Sequence, residues 1–389
     1  MAARLLFVVN DARFFLSHRL PLALAARQCG FDVHVATLPG PGVDAVSAAG
    51  FPHHPLPLNR SGMNPLRELG GLLAVVRLFR RLRPQLVHLV TIKPVIYGGL
   101  AARFTGVPGV VAAISGLGFL FTRRERRAGW RLALARWLYR LALGHRNLRV
   151  IFQNLEDAAE ITAAAGLPPA RGVLIRGAGV RLSDYPCVAE PLGQPVVVMA
   201  ARLLHDKGVV EFVRAARLLR DRGVTARFVL AGAPDPGNPS ACTVDELASW
   251  REEGVVEFPG YCRDISALFA ASHLVVLPSY REGLPKVLIE AAACGRPTVT
   301  TDVPGCRDAV QSGRTGLLVP VGDAGALADA IGRLLADAGL RQRMGLAGRT
   351  WAEQAFDIED VIQRHLEIYS LLLRSAGQPH GSRPKQDME

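Results

Sequence analysis

Four side chains have the types and spacing for chemistry on an anionic, hydroxylated ligand. Glu282 and Glu290 are separated by seven residues, and Arg202 and Lys207 by four. The carboxylates flank the start of a helix. Residues 274–277, Leu-Val-Val-Leu, read as a buried parallel strand. Pro278 and Ser279 end it, Gly283 permits a tight turn, Pro285 suits a first helical turn, and Gly295 stops the helix. That puts a helix N-terminus at the carboxyl end of a strand, where open α/β sheets bind ligands. The amides of Gly283, Leu284 and Lys286 would cradle an anion, and Pro285 has no N–H to add. Glu290 falls roughly 9 Å further along the axis than Glu282. A phosphate between two carboxylates implies a diphosphate with hydroxylated groups at both ends, which is the shape of a nucleotide sugar. A solvated surface helix can also carry two such glutamates, so the flanking residues matter.

Arg202 and Lys207 follow a second strand-like run, residues 195–199, and would sit at its carboxyl end. Two fixed cations there can neutralise a leaving diphosphate, with each charge-assisted hydrogen bond worth about 1.5–3 kcal/mol. Asp206 is placed to cap the helix that starts near Val209.

The elements that position these groups recur along the chain. Apolar runs at 5–9, 32–36, 86–90, 109–113 and 149–152 alternate with helical stretches, as do runs at 227–231, 255–258, 298–300 and 316–320. This alternation predicts doubly wound parallel sheets, and 389 residues suggest two domains. Residues 185–195, with three prolines, read as the linker. The first strand is not followed by a GxGxxG turn, which argues against a dinucleotide site there.

The flanking residues resemble a known group. Ser-Tyr-Arg-Glu-Gly-Leu-Pro at 279–285 and Leu-Ile-Glu-Ala-Ala-Ala-Cys-Gly-Arg-Pro at 288–297 resemble the donor site of retaining GT-B glycosyltransferases, the family 4 or group 1 glycosyltransferases. Phe-Phe-Leu-Ser-His-Arg-Leu at 14–20, His88-Leu-Val-Thr91-Ile-Lys93-Pro94 and Ile114-Ser-Gly-Leu-Gly118 are similar to bacterial members that build lipid-linked surface polysaccharides. The resemblance implies a GT-B fold: two Rossmann-like doubly wound domains facing an interdomain cleft. Residues 1–184 would be a basic acceptor domain facing the membrane and 195–356 the donor domain. Residues 357–375 would be a helix crossing back to the first domain, and 376–389 a disordered tail.

By the same resemblance Glu282 contacts the donor sugar and takes a catalytic role with Arg202 and Lys207, while Glu290 binds the ribose. Gly283, Leu284, Pro285 and Lys286 line the donor site, and Gly260, Tyr261 and Arg263 approach the base; Arg263 could equally pair with Asp264. Asn10, His18, His88, Lys93 and Ser115 are acceptor-side candidates. The histidine that many members carry after the fourth strand is missing from 113–118, so a catalytic histidine stays unassigned. The family needs no metal or other cofactor beyond its nucleotide-sugar co-substrate, and no Asp-x-Asp motif is present. The acceptor implied is a polyprenyl-diphosphate-linked saccharide. A UDP-sugar 2-epimerase of GT-B-like fold, or an inert membrane-associated sugar-nucleotide-binding scaffold, would share much of this pattern.

Charge is distributed unevenly. Residues 1–180 carry 23 Lys+Arg against 8 Asp+Glu, a balance of +15, and residues 181–389 carry 23 against 26, a balance of −3. The first half therefore meets something anionic. Residues 60–83 hold six arginines and one acid, and 123–140 hold seven and one. Trp130, Leu134, Trp137, Leu138 and Leu141 fall on one helical stripe flanked by arginines. This is the composition of an interfacial helix on an anionic membrane, although such a stripe can also pack on a sheet. Nucleic acid is disfavoured, because the aromatics form no stacking platform. No run approaches the ~20 apolar residues of a membrane span, and residues 5–9 are too short for a signal-peptide core. The expectation is a cytoplasmic protein, peripheral on the inner face of the membrane. The six cysteines are scattered with no CxxC pair, so disulfides and zinc-ligand spacing are not expected.

Overall fold

A computed structural model describes residues 2–58, 65–116, 129–235 and 237–377. The chain divides into two compact units, Met1–Ile175 with Asp360–Glu389, and Arg176–Glu359.

In the first unit the strands are β1 (Arg4–Val9), β2 (Asp32–Thr37), β3 (His53–Pro55), β4 (Leu86–Val90), β5 (Gly109–Ile114), β6 (Leu148–Phe152) and β7 (Gly172–Leu174). They form one parallel sheet in the order β3-β2-β1-β4-β5-β6-β7. The central strands are buried along almost their whole length, as expected of parallel strands covered on both faces. The helices include α1 (Ala12–His18), α2 (Leu20–Gln28), α3 (Val43–Ala48), α4 (Pro65–Leu82), α5 (Ile92–Thr105), α6 (Gly129–Ala142) and α7 (Leu155–Ala165). Asp11 caps α1 by accepting from the Arg13 and Phe14 amides. Asn154 caps α7 through the Asp157 amide.

In the second unit β8 (Val196–Ala200), α8 (Val209–Asp221), β9 (Arg227–Ala231), α9 (Val244–Glu253), β10 (Glu257–Gly260), α10 (Ile265–Ala270), β11 (Leu274–Leu277), α11 (Lys286–Ala293), β12 (Thr298–Thr301), α12 (Cys306–Ala309) and β13 (Gly316–Val319) precede α13 (Ala324–Ala336) and α14 (Ala338–Ala355). Its parallel sheet runs β10-β9-β8-β11-β12-β13. The order reverses between β8 and β11, and that switch point is where a doubly wound sheet opens a binding crevice. The last helix, α15 (Ile358–Ser375), belongs to the first unit from Asp360 onward. There Asn147 Nδ2 donates to the Leu372 carbonyl at 2.8 Å and Arg364 to the Leu174 carbonyl at 2.7 Å.

Two expectations need correction, and one alternative is set aside. From the sequence, residues 17–28 read as one helix, but that helix is broken at Arg19, whose backbone is not helical, because Pro21 suits only the first turn of a new helix. Asp206 does not cap α8: it lies in a 3-10 turn, and Gly208 in the left-handed region takes the cap position. The stripe on α6 does not pack on the sheet as one face. Leu134 and Trp137 are about half exposed, while Ala135, Tyr139 and Ala142 form the buried face. Of the other stripe residues, the Trp130 side chain lies outside the described residues.

Candidate functional site

Arg202 and Lys207 follow the carboxyl end of β8, and the residues around Glu282 follow that of β11, its neighbour in the sheet. After β8 the chain runs on beside β9, with the Ala201 amide donating to the Ala231 carbonyl at 3.0 Å. It then closes the turn His205–Lys207. Gly208 adopts φ +78°, and a Cβ there would lie 2.1 Å from the Pro278 carbonyl oxygen. Only glycine lets this turn seat against the end of β11. Two hydrogen bonds then tie the loops together: the Ser279 hydroxyl and the Tyr280 amide both donate to the Asp206 carbonyl, at 3.0 and 2.9 Å. Burial is the main influence on the Asp206 carboxyl, raising it above the usual carboxylate range.

This lacing brings Lys207 Nζ to 2.5 Å from Glu282 Oε1. Both side chains are mostly buried, at 21% and 10% exposure, so the pair sits in a medium where charge interactions are stronger than in water. Gly305, at φ +77°, presses on the same turn; a Cβ there would meet the Gly283 carbonyl oxygen at 2.3 Å. Leu284 is buried, and Pro285 occupies the N-cap of α11 with no side-chain cap bond. The first amides of the helix, that of Lys286 among them, therefore have no capping side chain, and the positive end of the helix dipole lies beside Glu282.

Glu290 sits one turn inside α11 and is 7% exposed. The Tyr185 hydroxyl donates to its Oε1 at 2.6 Å, and Lys286 Nζ is 2.8 Å from the same oxygen. Lys286 thus contributes a side-chain cation as well as an amide. Nothing local marks Tyr185, which lies 105 residues away in the proline-rich segment read as a linker. Arg202 is half exposed and holds Asp235 at 2.8 Å. Gly260, at φ +80°, ends β10 on the sheet edge, followed by exposed Tyr261 and Arg263. Asp264 caps α10 through the Ala267 amide.

The acceptor-side candidates lie in the first unit and divide into two groups. Asn10 follows β1 and Ser115 follows β5, and Asn10 Oδ1 and Ser115 Oγ are buried without partners among the described residues. Thr91, after β4 between them in the sheet, has the same property at Oγ1. It also adopts φ +75°, costly for a β-branched residue. Sequence carries no sign of that backbone, so nothing there sets Thr91 apart from its neighbours. The other three candidates are engaged. Lys93 Nζ pairs with Glu68 at 2.8 Å. His18 stacks on Phe14 and meets the Ser17 hydroxyl at 2.7 Å.

His88 departs from its expected place. It is fully buried between Phe7 and His365, with Nδ1 2.5 Å from the Tyr369 hydroxyl, and presents no surface to a ligand. Burial, then the charge of Arg19, hold it well below the usual histidine range.

Two family models match this chain: Glycosyl transferases group 1 over residues 194–337, and Glycosyl transferase 4-like over residues 4–154. The chain is 29% identical over 330 residues to N,N'-diacetylbacillosaminyl-diphospho-undecaprenol alpha-1,3-N-acetylgalactosaminyltransferase of Campylobacter jejuni, covering 82% of this chain and 85% of the relative. It is 24% identical to the capsular polysaccharide biosynthesis glycosyltransferase CapM of Staphylococcus aureus, over 90% and 92% of the two chains. Among solved structures, Anabaena Alr3699/HepE in complex with UDP and glucose superposes with a TM-score of 0.74 at 21% identity, over 94% of this chain and 99% of that one. Sucrose-phosphate synthase from Thermosynechococcus elongatus superposes at 0.79 and 22%, over 96% and 100%. These likenesses establish the fold. With one model on each half of the chain and a GT-B architecture throughout, this chain belongs to the group 1, family 4 glycosyltransferases.

Proposed function

We propose that this glycosyltransferase moves a sugar from a nucleotide sugar, UDP-linked, to the saccharide of a polyprenyl-diphosphate-linked acceptor, with retention at the anomeric carbon, in surface polysaccharide or glycan assembly. The observation that carries the reading is the Lys207–Glu282 contact beside the α11 N-terminus, at the switch point of the second sheet. A diphosphate bound there meets a fixed cation, amides without a side-chain cap and, at either end, a carboxylate suited to hydroxyl groups. Lys207, Arg202 and the α11 amides take the charge of the departing diphosphate. Glu282 holds the donor sugar and Glu290 the ribose. Tyr261 and Arg263 are exposed for the base.

The bond between the anomeric carbon and the diphosphate breaks with its electron pair leaving on phosphate. The acceptor hydroxyl adds on the same face and gives its proton to the departing phosphate oxygen. Fixed cations take the part a metal plays in other transferases, so the reaction needs no cofactor.

Three observations support a lipid-linked acceptor. The Campylobacter relative is named for a diphospho-undecaprenol substrate. The first 180 residues carry the +15 balance. The first unit also carries exposed apolar stripes with arginines beside them. On α4, Leu66, Leu69 and Leu73 are exposed at one helical face, and on α6 so are Leu134 and Trp137. Helix α5 packs against both α4 and α6, so the two stripes share one side of the sheet. Their occupant is an anionic bilayer on the inner face of the membrane, matched in charge by Arg77, Arg80, Arg81 and Arg136. No helix among the described residues is long and apolar enough to cross a membrane. Asn10, Thr91 and Ser115 offer polar atoms to the acceptor saccharide.

The test is a screen of UDP- and GDP-sugars with and without a polyprenyl-diphosphate-linked saccharide. The expected result is a lipid-linked product longer by one sugar, formed from a UDP-sugar. A changed free sugar in the absence of acceptor points instead to an epimerase, and nucleotide binding without turnover to an inert scaffold.

A further inference from the structure

We propose that His205, Cys242 and Glu246 form a site for one borderline divalent transition cation of the Zn²⁺ class, which clamps the turn carrying Lys207. Sequence spacing hides this cluster, because the three residues come from two segments. The fold brings them together: a ring nitrogen of His205, Cys242 Sγ and a Glu246 carboxylate oxygen all lie within 4.8 Å of one another. His205 Nε2 is 3.0 and 3.1 Å from the two carboxylate oxygens.

The backbone beneath the cluster is fixed on both sides. The His205 amide donates to the Ser240 carbonyl at 2.7 Å, and the Cys242 amide to the Leu203 carbonyl at 3.0 Å. Leu204 and Ala241 pair between them as an antiparallel bridge. The ligands thus sit on a pinned pair of segments, so little ordering is needed to assemble them. Ligand bonds of ~2.0–2.3 Å put the edges of a zinc tetrahedron at roughly 3.2–3.8 Å. The nitrogen–oxygen edge is already near that length, and Sγ needs to move by no more than about 1 Å.

The donor set, one imidazole, one thiol and one carboxylate, suits zinc and leaves a fourth position for water. The carboxylate also has outer support of the kind that orients metal ligands: the Thr243 amide and hydroxyl both donate to Glu246 Oε2, at 2.7 and 3.0 Å. Cys242 is buried and Glu246 and His205 half-buried, so the cation would have protein on one side and solvent access on the other. Binding replaces the thiol proton with the metal and releases that proton to solvent. The site takes no part in sugar transfer. It lies two residues before Lys207 and, through that turn, favours the position from which Lys207 meets Glu282.

Cobalt titration of the full chain tests the proposal without reference to activity. The expected result is a sulfur-to-cobalt charge-transfer band that saturates at one equivalent and disappears when Zn²⁺ displaces Co²⁺. His205→Ala and Cys242→Ser should remove the band and weaken Zn²⁺ binding by ~100-fold or more, the loss of an inner ligand costing at least as much as that of an outer partner. Glu246→Gln keeps an acceptor for Thr243 and should weaken it as well. Cys187→Ser, at the exposed cysteine, should leave the band unchanged. No band in the folded wild-type chain overturns the proposal. So does a band that survives both His205→Ala and Cys242→Ser, or one that Cys187→Ser alone removes.

Discussion

Lys207 Nζ lies 2.5 Å from Glu282 Oε1, joining two loops 75 residues apart in sequence. Under the proposed function a donor diphosphate competes with Glu282 for this lysine. Lys207→Ala and Glu282→Ala should each lower turnover by about 10²–10³-fold, the range for losing one preorganised electrostatic group. Circular dichroism should remain that of wild type. Near wild-type turnover in both variants would remove these residues from the mechanism.

Tyr185 and Lys286 both meet Glu290 at Oε1. Under the proposed ribose role of Glu290, the tyrosine holds the carboxylate in the orientation that the nucleotide meets. Tyr185→Phe should narrow the preference for UDP over 2′- or 3′-deoxy-UDP by about tenfold, or ~1.4 kcal/mol, the scale of one hydrogen bond. Calorimetric titration of the three nucleotides measures the ratio. An unchanged ratio with intact UDP binding would make Tyr185 a packing residue only.

Gly208 can be replaced only by moving Pro278. Gly208→Ala places a Cβ 2.1 Å from a carbonyl oxygen, in a left-handed backbone conformation. The left-handed penalty alone is about 1–2 kcal/mol, and the clash adds to it. A lower urea midpoint and a loss of turnover are expected. Unchanged stability would mean that the Lys207 turn does not rest on the end of β11.

The first unit holds a buried polar group of Arg19, His88, His365 and Tyr369. Burial, followed by the charge of Arg19, lowers His365 to about 3, and both also lower His88 well below its ordinary value. Both rings are neutral when folded and take protons when unfolded below pH 6.5. Their contribution is complete above that value and is lost as pH falls from 6.5 towards 3. Urea midpoints should fall steadily from pH 7 to pH 4. His365→Asn retains a donor for the Val361 carbonyl, which His365 Nδ1 meets at 2.7 Å, and should flatten that slope. An equal slope in the variant would show that other groups carry it.

The stripes on α4 and α6 give a separate test. Sedimentation with anionic vesicles at low salt should pull down the wild-type chain, and Leu69→Ser with Trp137→Ser should reduce the bound fraction several-fold. Equal recovery with neutral vesicles would count against a charge-matched bilayer contact.

Much of this architecture is legible in the sequence, because a parallel strand buried on both faces must be an unbroken apolar run. Residues 274–277 and 5–9 are such runs, and both lie in strands. The α11 motif is equally local, since its turn glycine, first-turn proline and terminal glycine lie within thirteen residues. Features that depend on distant partners left no local trace. Strand β3 is three polar or proline residues on a sheet edge. His88 reads as a ligand-facing histidine until Tyr369, 281 residues away, is seen to bond it. Tyr185 and the His205–Cys242–Glu246 cluster were hidden in the same way, by sequence distance.

The central claim is that Lys207 stands where a nucleotide diphosphate binds. Calorimetric titration of UDP into the wild-type chain and into Lys207→Ala tests it most directly. The account predicts a saturable heat at one site in the wild type and affinity at least tenfold weaker in the variant, with the fold unchanged. No heat in the wild type, or equal affinity in the two proteins, would contradict it.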